Sequence, residues 1–206
     1  LGLHNTLKNT PSVALGTSEH TLLELTGAYA GILNKGKHVR PYGITELRLK
    51  DHVRPLMTKN FEIGNRILSE STTEELIYMM HRTIHDGTGV RAKIDGLEAA
   101  GKTGTTQGQR DAWFVGFTSH FVVGVWMGND KNQPLTGVHG GGLPAEIWKE
   151  IITQISKNLS SKPLPMIRPN VPPTLNNGIY TKFSKRNEFN IFKTLKSILS
   201  REKPTN

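Results

Sequence analysis

Between residues 97 and 127 the chain runs through three strand-like stretches in succession, joined by connectors too short for anything but hairpins. The stretches cover about 97–106, 112–118 and 121–127, and the connectors are Gln107–Asp111 and Thr118–His120. The last stretch, Phe121-Val122-Val123-Gly124-Val125-Trp126-Met127, is apolar without alternation, which asks for cover on both of its faces. The centre of the chain is thereby committed to a mostly antiparallel sheet with helices packed on it, an α+β fold. A helix at about 144–156 covers one face: Pro144 suits its first turn, and Ile147, Trp148, Ile151, Ile152 and Ile155 form its apolar stripe. No other helix is assigned to the second face, so the chain alone is expected to leave apolar surface wet and to be marginal. Trp113, Trp126 and Trp148 read as core aromatics between sheet and helix.

Two further helices follow from periodicity and caps. Over residues 21–35, Thr21 and Glu24 have capping-box spacing, Leu22, Leu25, Tyr29 and Leu33 share a face, and Gly36 fits the C′ position. Over residues 72–86, Ser71 and Glu74 have the same spacing, Leu76, Ile77, Met80 and Ile84 make the face, and Gly87 supplies the stop. Weak strands at 42–49 and 55–62 suggest a hairpin between these helices.

The texture changes at 157. Pro163, Pro165, Pro169, Pro172 and Pro173 break regular structure, so a domain over 1–156 is expected to give way to a tail over 157–206. The tail holds ten lysines and arginines and two acids, against 26 and 17 in the whole chain, so it carries nearly all of the net charge of +9. A near-neutral body argues against nucleic-acid binding. In the tail, Ile191, Phe192, Leu195, Ile198 and Leu199 recur at helical spacing opposite Lys193, Lys196 and Arg201. Such a stripe could make weak contact with an anionic membrane surface, although a short helix docked on the body, or disorder, is the favoured reading. No apolar run reaches the roughly 18 residues of a membrane span. The absence of cysteine excludes a disulfide frame and a Cys-based metal site. A first residue of Leu1 instead of Met suggests a fragment.

The chemistry concentrates in Gly101-Lys102-Thr103-Gly104-Thr105-Thr106. A peptide can lie along an exposed strand edge and pair with its backbone. Gly104 removes a Cβ where that backbone comes close. Thr103 and Thr105 offer hydroxyl donors for a carboxylate, and the Thr105 N–H can face a developing oxyanion. Lys102 supplies a cation that favours an anionic ligand and lowers the pKa of a neighbouring hydroxyl or ammonium. Lys102 and Thr105 are therefore the catalytic candidates, and Thr103, Gly104, Thr105 and Thr106 the substrate-binding candidates.

Three competing patterns are weaker. Gly96 through Thr103 matches the P-loop spacing, but Gly104 and the β-branched Thr105-Thr106 pair oppose the helix a P-loop opens. His81 and His85 stand four apart beside Asp86, yet no H-E-x-x-H glutamate accompanies them. A solvated helix face is favoured, and no metal or cofactor is expected. His139-Gly140-Gly141-Gly142 is similar to a lipase oxyanion segment, but G-x-S-x-G is missing, so a flexible loop is the better reading.

Taken with Asp111-Ala112-Trp113-Phe114-Val115-Gly116-Phe117, the Lys-Thr-Gly segment resembles the transpeptidase domain of class A penicillin-binding proteins, and more specifically the type 1A bifunctional peptidoglycan synthases. Leu15-Gly16-Thr17-Ser18-Glu19 with Leu22–Ala30 resembles the helix after their S-x-N region. Asp86-Gly87-Thr88-Gly89 resembles the turn before their Lys-Thr-Gly strand, and Gly141–Trp148 the start of their last helix; the resemblance also implies that the 139–142 loop borders the cleft and helps to shape it. The resemblance covers roughly 1–156 and implies the C-terminal part of the penicillin-binding/β-lactamase-like transpeptidase fold. It implies a D,D-transpeptidase that cross-links peptidoglycan stem peptides, is acylated by β-lactams, bears on cell shape and antibiotic resistance, and is joined to a glycosyltransferase domain. Such an enzyme works on the periplasmic side of the bacterial inner membrane, with the anchor outside this chain.

That family carries its chemistry in S-x-x-K, an S-x-N-type triplet and K-T-G. The S-x-x-K segment is not expected in usable form anywhere in this chain, and Ser156-Lys157-Asn158 matches S-x-N on the wrong side of the strand. The acyl-enzyme serine is therefore expected from a missing N-terminal half, and the chain alone is expected to be inactive. The rival expectations are a fragment of a serine β-lactamase and a non-catalytic remnant or interaction module.

Overall fold

The computed structural model describes residues 1–3, 11, 16, 18–60 and 63–168. The chain divides into two compact units, Leu1–Arg168 and Pro169–Asn206. The second lies outside the described residues, as does the amphipathic stripe at 189–201.

Helix α1 spans Leu22–Leu33. Its start is the expected capping box: the Glu24 N–H donates to Thr21 Oγ1, and the Thr21 N–H donates to the Glu24 carboxylate. Its end differs from expectation by one residue. The Gly36 N–H bonds Gly31 O and the Lys35 N–H bonds Ile32 O, a Schellman pair that makes Lys35 the left-handed C′ residue and Gly36 the next one. The face it buries is Gly27, Ala28, Gly31 and Ile32, smaller side chains than the leucine stripe suggests. Strand β1, Lys37–Val39, then pairs antiparallel with β4, Ile63–Arg66.

The expected hairpin lies between them, as β2 (Glu46–Leu47) against β3 (Met57–Thr58), much shorter than 42–49 and 55–62. Residues 61 and 62 of that expectation lie outside the described residues. Helix α2, Glu70–His85, is capped by Ser69, whose hydroxyl accepts the Thr72 N–H; Ser71 stands inside the first turn and is not the cap. Thr73, Ile77, Met80 and Ile84 are its buried positions.

The central sheet is the antiparallel meander read from the sequence: β5 (Ala100–Thr105), β6 (Asp111–Phe117) and β7 (Val122–Gly128), in that order. A strand where a P-loop needs a helix removes the nucleotide reading. Side-chain alternation sends Phe114 and Phe117 to opposite faces. On Phe114's face lies α3 (Leu143–Ile155), and the Phe114 and Trp148 rings meet edge-on at 5.4 Å. The Trp148 indole N–H donates to Gly116 O at 3.2 Å. On Phe117's face lie Ile32 of α1 and Ile77 and Met80 of α2. Both faces are therefore covered within this chain, contrary to the expectation that one would be left wet. Exposed apolar groups gather on the β2–β3 hairpin, where Ile44, Leu47, Leu49, Leu56 and Met57 are exposed and Val53 reaches 89%, and others lie singly on the surface, among them Leu23, Ile63 and Met79. Trp148 is the core tryptophan; Trp126 is 43% exposed and tilts against Trp113 with ring centroids 6.1 Å apart.

The first unit runs past the expected boundary at 156. Leu164 is 5% exposed among Ile32, Ile77, Met80, Ala100 and Phe117. Its N–H donates to Glu98 Oε2 at 3.0 Å, and Arg168 pairs with the other carboxylate oxygen. Burial pushes the Glu98 carboxyl up, but the Leu164 amide and the Arg168 guanidinium together outweigh it and leave the pKa below its ordinary 4.5.

Trp148→Ala removes the largest fully buried side chain and is expected to cost about 3–5 kcal/mol, read from the urea midpoint; a loss below about 1 kcal/mol would show that α3 is not seated on Phe114. Because the Glu98 pKa is lowered on folding, its contribution is present above 4.5 and lost as pH falls through the lowered value. The stability gap between wild type and Glu98→Gln is thus expected to be at most about 1 kcal/mol at neutral pH and to close in acid; a gap that widens in acid would contradict this sign.

Candidate functional site

In an antiparallel pair the hydrogen-bonded rungs alternate. The Thr106 N–H donates to Asp111 O at 3.1 Å, so residues 104 and 102 of β5 also turn their backbone groups toward β6. The N–H and C=O groups of Thr103 and Thr105 consequently point to the opposite edge. Among the described residues no backbone hydrogen bond from another segment closes that edge.

Side chains divide by the same alternation. Lys102 and Gly104 lie on the face of α1 and α2, whereas Thr103 and Thr105 lie on the face of α3. Lys102 is exposed, and its ammonium reaches round the edge to donate to Thr103 O at 2.8 Å. The five residues from Lys102 to Thr106 are thus brought together at one edge, but not into one role. Thr106 closes the hairpin: its hydroxyl donates to Asp111 Oδ2 at 3.2 Å and accepts the Asp111 N–H at 2.8 Å. Asp111 Oδ1 in turn accepts the Trp126 indole N–H at 3.0 Å, tying all three strands together.

Two segments back the threonines. After α2 the chain turns so that Thr88 Oγ1 lies 2.9 Å from Thr103 Oγ1. Ahead of α3, the glycine loop lies flat on the sheet, and the Gly140 N–H donates to Thr105 Oγ1 at 3.0 Å. A Cβ at Gly140 would fall on the carbonyl oxygens of Gly104 and Trp113, and one at Gly141 on Thr88 O. Gly140, Gly141 and Gly142 are buried, so the segment is a packed backing and not the flexible loop that its composition suggests. Arg91 and Glu146, 2.5 Å apart, pin the chain that follows Thr88 to the first turn of α3.

An N–H can only donate, so the Gly140 contact occupies a lone pair of the Thr105 hydroxyl and leaves its proton available. Thr105 is exposed. The edge therefore presents two outward amides, an available hydroxyl proton and an ammonium, a donor set suited to a peptide that ends in an acceptor-only anion. The sequence marks the 86–89 turn and the 139–142 loop but not the contacts that Thr88 and Gly140 make, because these span 15 and 35 residues.

Elsewhere, His81 uses Nδ1 on Ala99 O at 2.9 Å, and among the described residues no group of three His, Asp or Glu is placed to hold a metal. The spacing S-x-x-K does occur once, at Ser200-Arg201-Glu202-Lys203, behind Lys102 in the chain and outside the described residues. No described helix is long and apolar enough to cross a membrane.

Residues 4–153 match the family described as penicillin binding protein transpeptidase domain. Penicillin-binding protein 1A of Aquifex aeolicus is 35% identical over 159 residues, which are 76% of this chain and 21% of that protein. This chain therefore spans about a fifth of such a relative. Among solved structures, penicillin-binding protein 1A from Haemophilus influenzae superposes with a TM-score of 0.68 at 22% identity, covering 76% of this chain and 29% of that one. Penicillin-binding protein A from M. tuberculosis, solved as an imipenem acyl-enzyme complex, gives a TM-score of 0.56 at 26% identity over 65% of this chain and 30% of that one.

Gly140→Ala is expected to push the loop off β5, because backbone oxygens cannot yield as side-chain tips do. The loss should be about 1–3 kcal/mol in urea melts, with the Thr105 amide resonance displaced; an unchanged midpoint would show that the loop is not seated on the Gly104–Trp113 rung.

Proposed function

The chain belongs to the penicillin-binding protein transpeptidase family, a family of peptidoglycan synthesis, and from that premise we propose that it forms the substrate-cradling part of a D,D-transpeptidase. The substrate is a peptidoglycan stem peptide, laid as an added strand on the open edge of β5. The observation that carries this reading is the outward direction of the Thr103 and Thr105 backbone groups beside Lys102 and the available Thr105 hydroxyl proton.

Each side chain has a part in the cross-linking step. Thr103 and Thr105 donate to the terminal carboxylate of the stem peptide. The Thr105 N–H faces the carbonyl oxygen that becomes an oxyanion, where a fixed donor acts in the transition state more than in the ground state. Lys102 adds a positive field that favours the anionic peptide and an ionised hydroxyl nearby. Gly104 keeps the strand slim, since a Cβ there would stand 3.2 Å from that of Trp113. Thr106 contributes by fixing the hairpin.

The acyl-accepting serine belongs, in this proposal, to a segment of the transpeptidase domain outside this chain. Among the described residues no serine is followed three positions later by a lysine. A β-lactam would dock at the same edge, its carboxylate in place of the peptide's, but the chain alone would not be acylated. The site operates on the periplasmic side of the inner membrane, held there by parts of the protein beyond these residues.

Titration of the 15N-labelled chain with an N-acyl-D-alanyl-D-alanine peptide is expected to move the amide resonances of 101–106 and 140. Lys102→Ala should weaken that binding about five- to tenfold, in line with loss of one charge-assisted contact. A fluorescent penicillin should leave no covalent label on the chain, since acylation needs a serine activated by a neighbouring base. Shifts scattered away from β5, or a hydroxylamine-sensitive penicillin adduct, would overturn the reading.

A further inference from the structure

We propose that Thr88 is a positioning residue that sets the Thr103 hydroxyl to donate, and so makes the β5 edge selective for a terminal carboxylate over its neutral amide. The inference rests on the reading of β5 as the peptide-binding edge. It begins from proton counting. A threonine hydroxyl has one proton and two lone pairs, and a carboxylate offers acceptors alone. Both Thr103 and Thr105 can donate to the same carboxylate when each keeps its proton for it, and a donor standing behind each hydroxyl favours that.

Behind Thr105 the direction is fixed. The Gly140 N–H has a proton and no lone pair, so it donates to Thr105 Oγ1 in every state of the site. Behind Thr103 the partner is a second hydroxyl, Thr88 Oγ1 at 2.9 Å, and this bond can run either way. With Thr88 donating, the Thr103 proton is aimed outward and an anion is welcomed. With Thr103 donating to Thr88, Thr103 turns a lone pair to the site and repels it. The anion selects the first arrangement, and each bond in the chain Thr88 to Thr103 to carboxylate polarises the next.

The scaffold holds Thr88 for this. The Gly89 N–H closes the turn onto Thr83 O at 2.9 Å, and Gly141 packs against Thr88 O. Thr88 therefore sits on the same glycine loop that supplies the Gly140 donor, so one loop backs both threonines.

The test is the ratio of affinities for an N-acyl-D-alanyl-D-alanine peptide and for its C-terminal amide, measured by NMR titration of the full 206-residue chain. Wild type should favour the carboxylate. Thr88→Val, which keeps shape but has no proton to give, should lower the carboxylate affinity about three- to tenfold, as expected for one lost hydrogen bond, and leave the amide affinity within about twofold, so the ratio collapses. Thr88→Ser should restore the wild-type ratio. A folded Thr88→Val chain with an unchanged ratio, or a Thr88→Ser chain as impaired as the valine variant, would overturn the role of Thr88 alone. Equal loss of both ligands in Thr88→Val would also overturn it, since it would indicate a shape effect. A wild type that does not distinguish carboxylate from amide would overturn both this inference and the proposed peptide edge.

Discussion

A backbone-on-backbone contact at Gly140 holds this molecule's chemistry in place. The loop ahead of α3 can lie on the rung between Gly104 and Trp113 because no side chain intervenes at that position. From there it delivers one amide to Thr105, packs against Thr88, and starts α3 at the place where Trp148 can drop onto Phe114. Remove the contact and three things loosen together: the donor behind Thr105, the turn behind Thr103, and the seat of the helix that covers one face of the sheet. Site and core are therefore coupled here. A loop that usually tolerates change is, in this chain, as constrained as the strands.

The sheet was readable because its signals are local. An unbroken apolar run, short connectors and a motif with two glycines fix β5, β6 and β7 within a few residues of their observed bounds. The Thr21–Glu24 box is local too, and it forms as read. Ser69 and Ser71 show the limit: both are good caps by residue type, and the turn geometry decides between them. The pairing of β1 with β4 joins strands of three and four residues across the β2–β3 excursion, which leaves no periodicity to detect. Trp126 misled for a related reason. A tryptophan in an apolar strand reads as core, but β7 is the last strand of its sheet, and the indole lies across the surface to reach Asp111.

For the site, residue type indicated the edge and its cation but not what stands behind them. Lys102 through Thr106 are contiguous, so the sequence displays them together; Thr88 and Gly140 meet them through the fold. Thr106 is decided locally instead, by a partner five residues away across the turn. Its hydroxyl looks as available as that of Thr105 in the sequence, yet the hairpin turns it to Asp111. Thr105 ends β5 and Thr106 follows it, and alternation separates an exposed hydroxyl from one that closes the hairpin.

The path of the chain after α3 has a mechanical consequence. Residues 157–168 are attached to the rest of the first unit chiefly through Leu164 in its apolar socket and through Glu98, which takes both the Leu164 amide and Arg168. Glu98 stands two residues ahead of β5. Tension applied to the chain beyond Arg168 therefore meets an exposed ion pair and one amide bond, contacts of about 1 kcal/mol each, and the buried Leu164 side chain, before it meets the cooperative rungs of the sheet. The segment behaves as a fuse in series: it yields first, adds slack, and spares the register of the strand that carries the Lys-Thr-Gly edge.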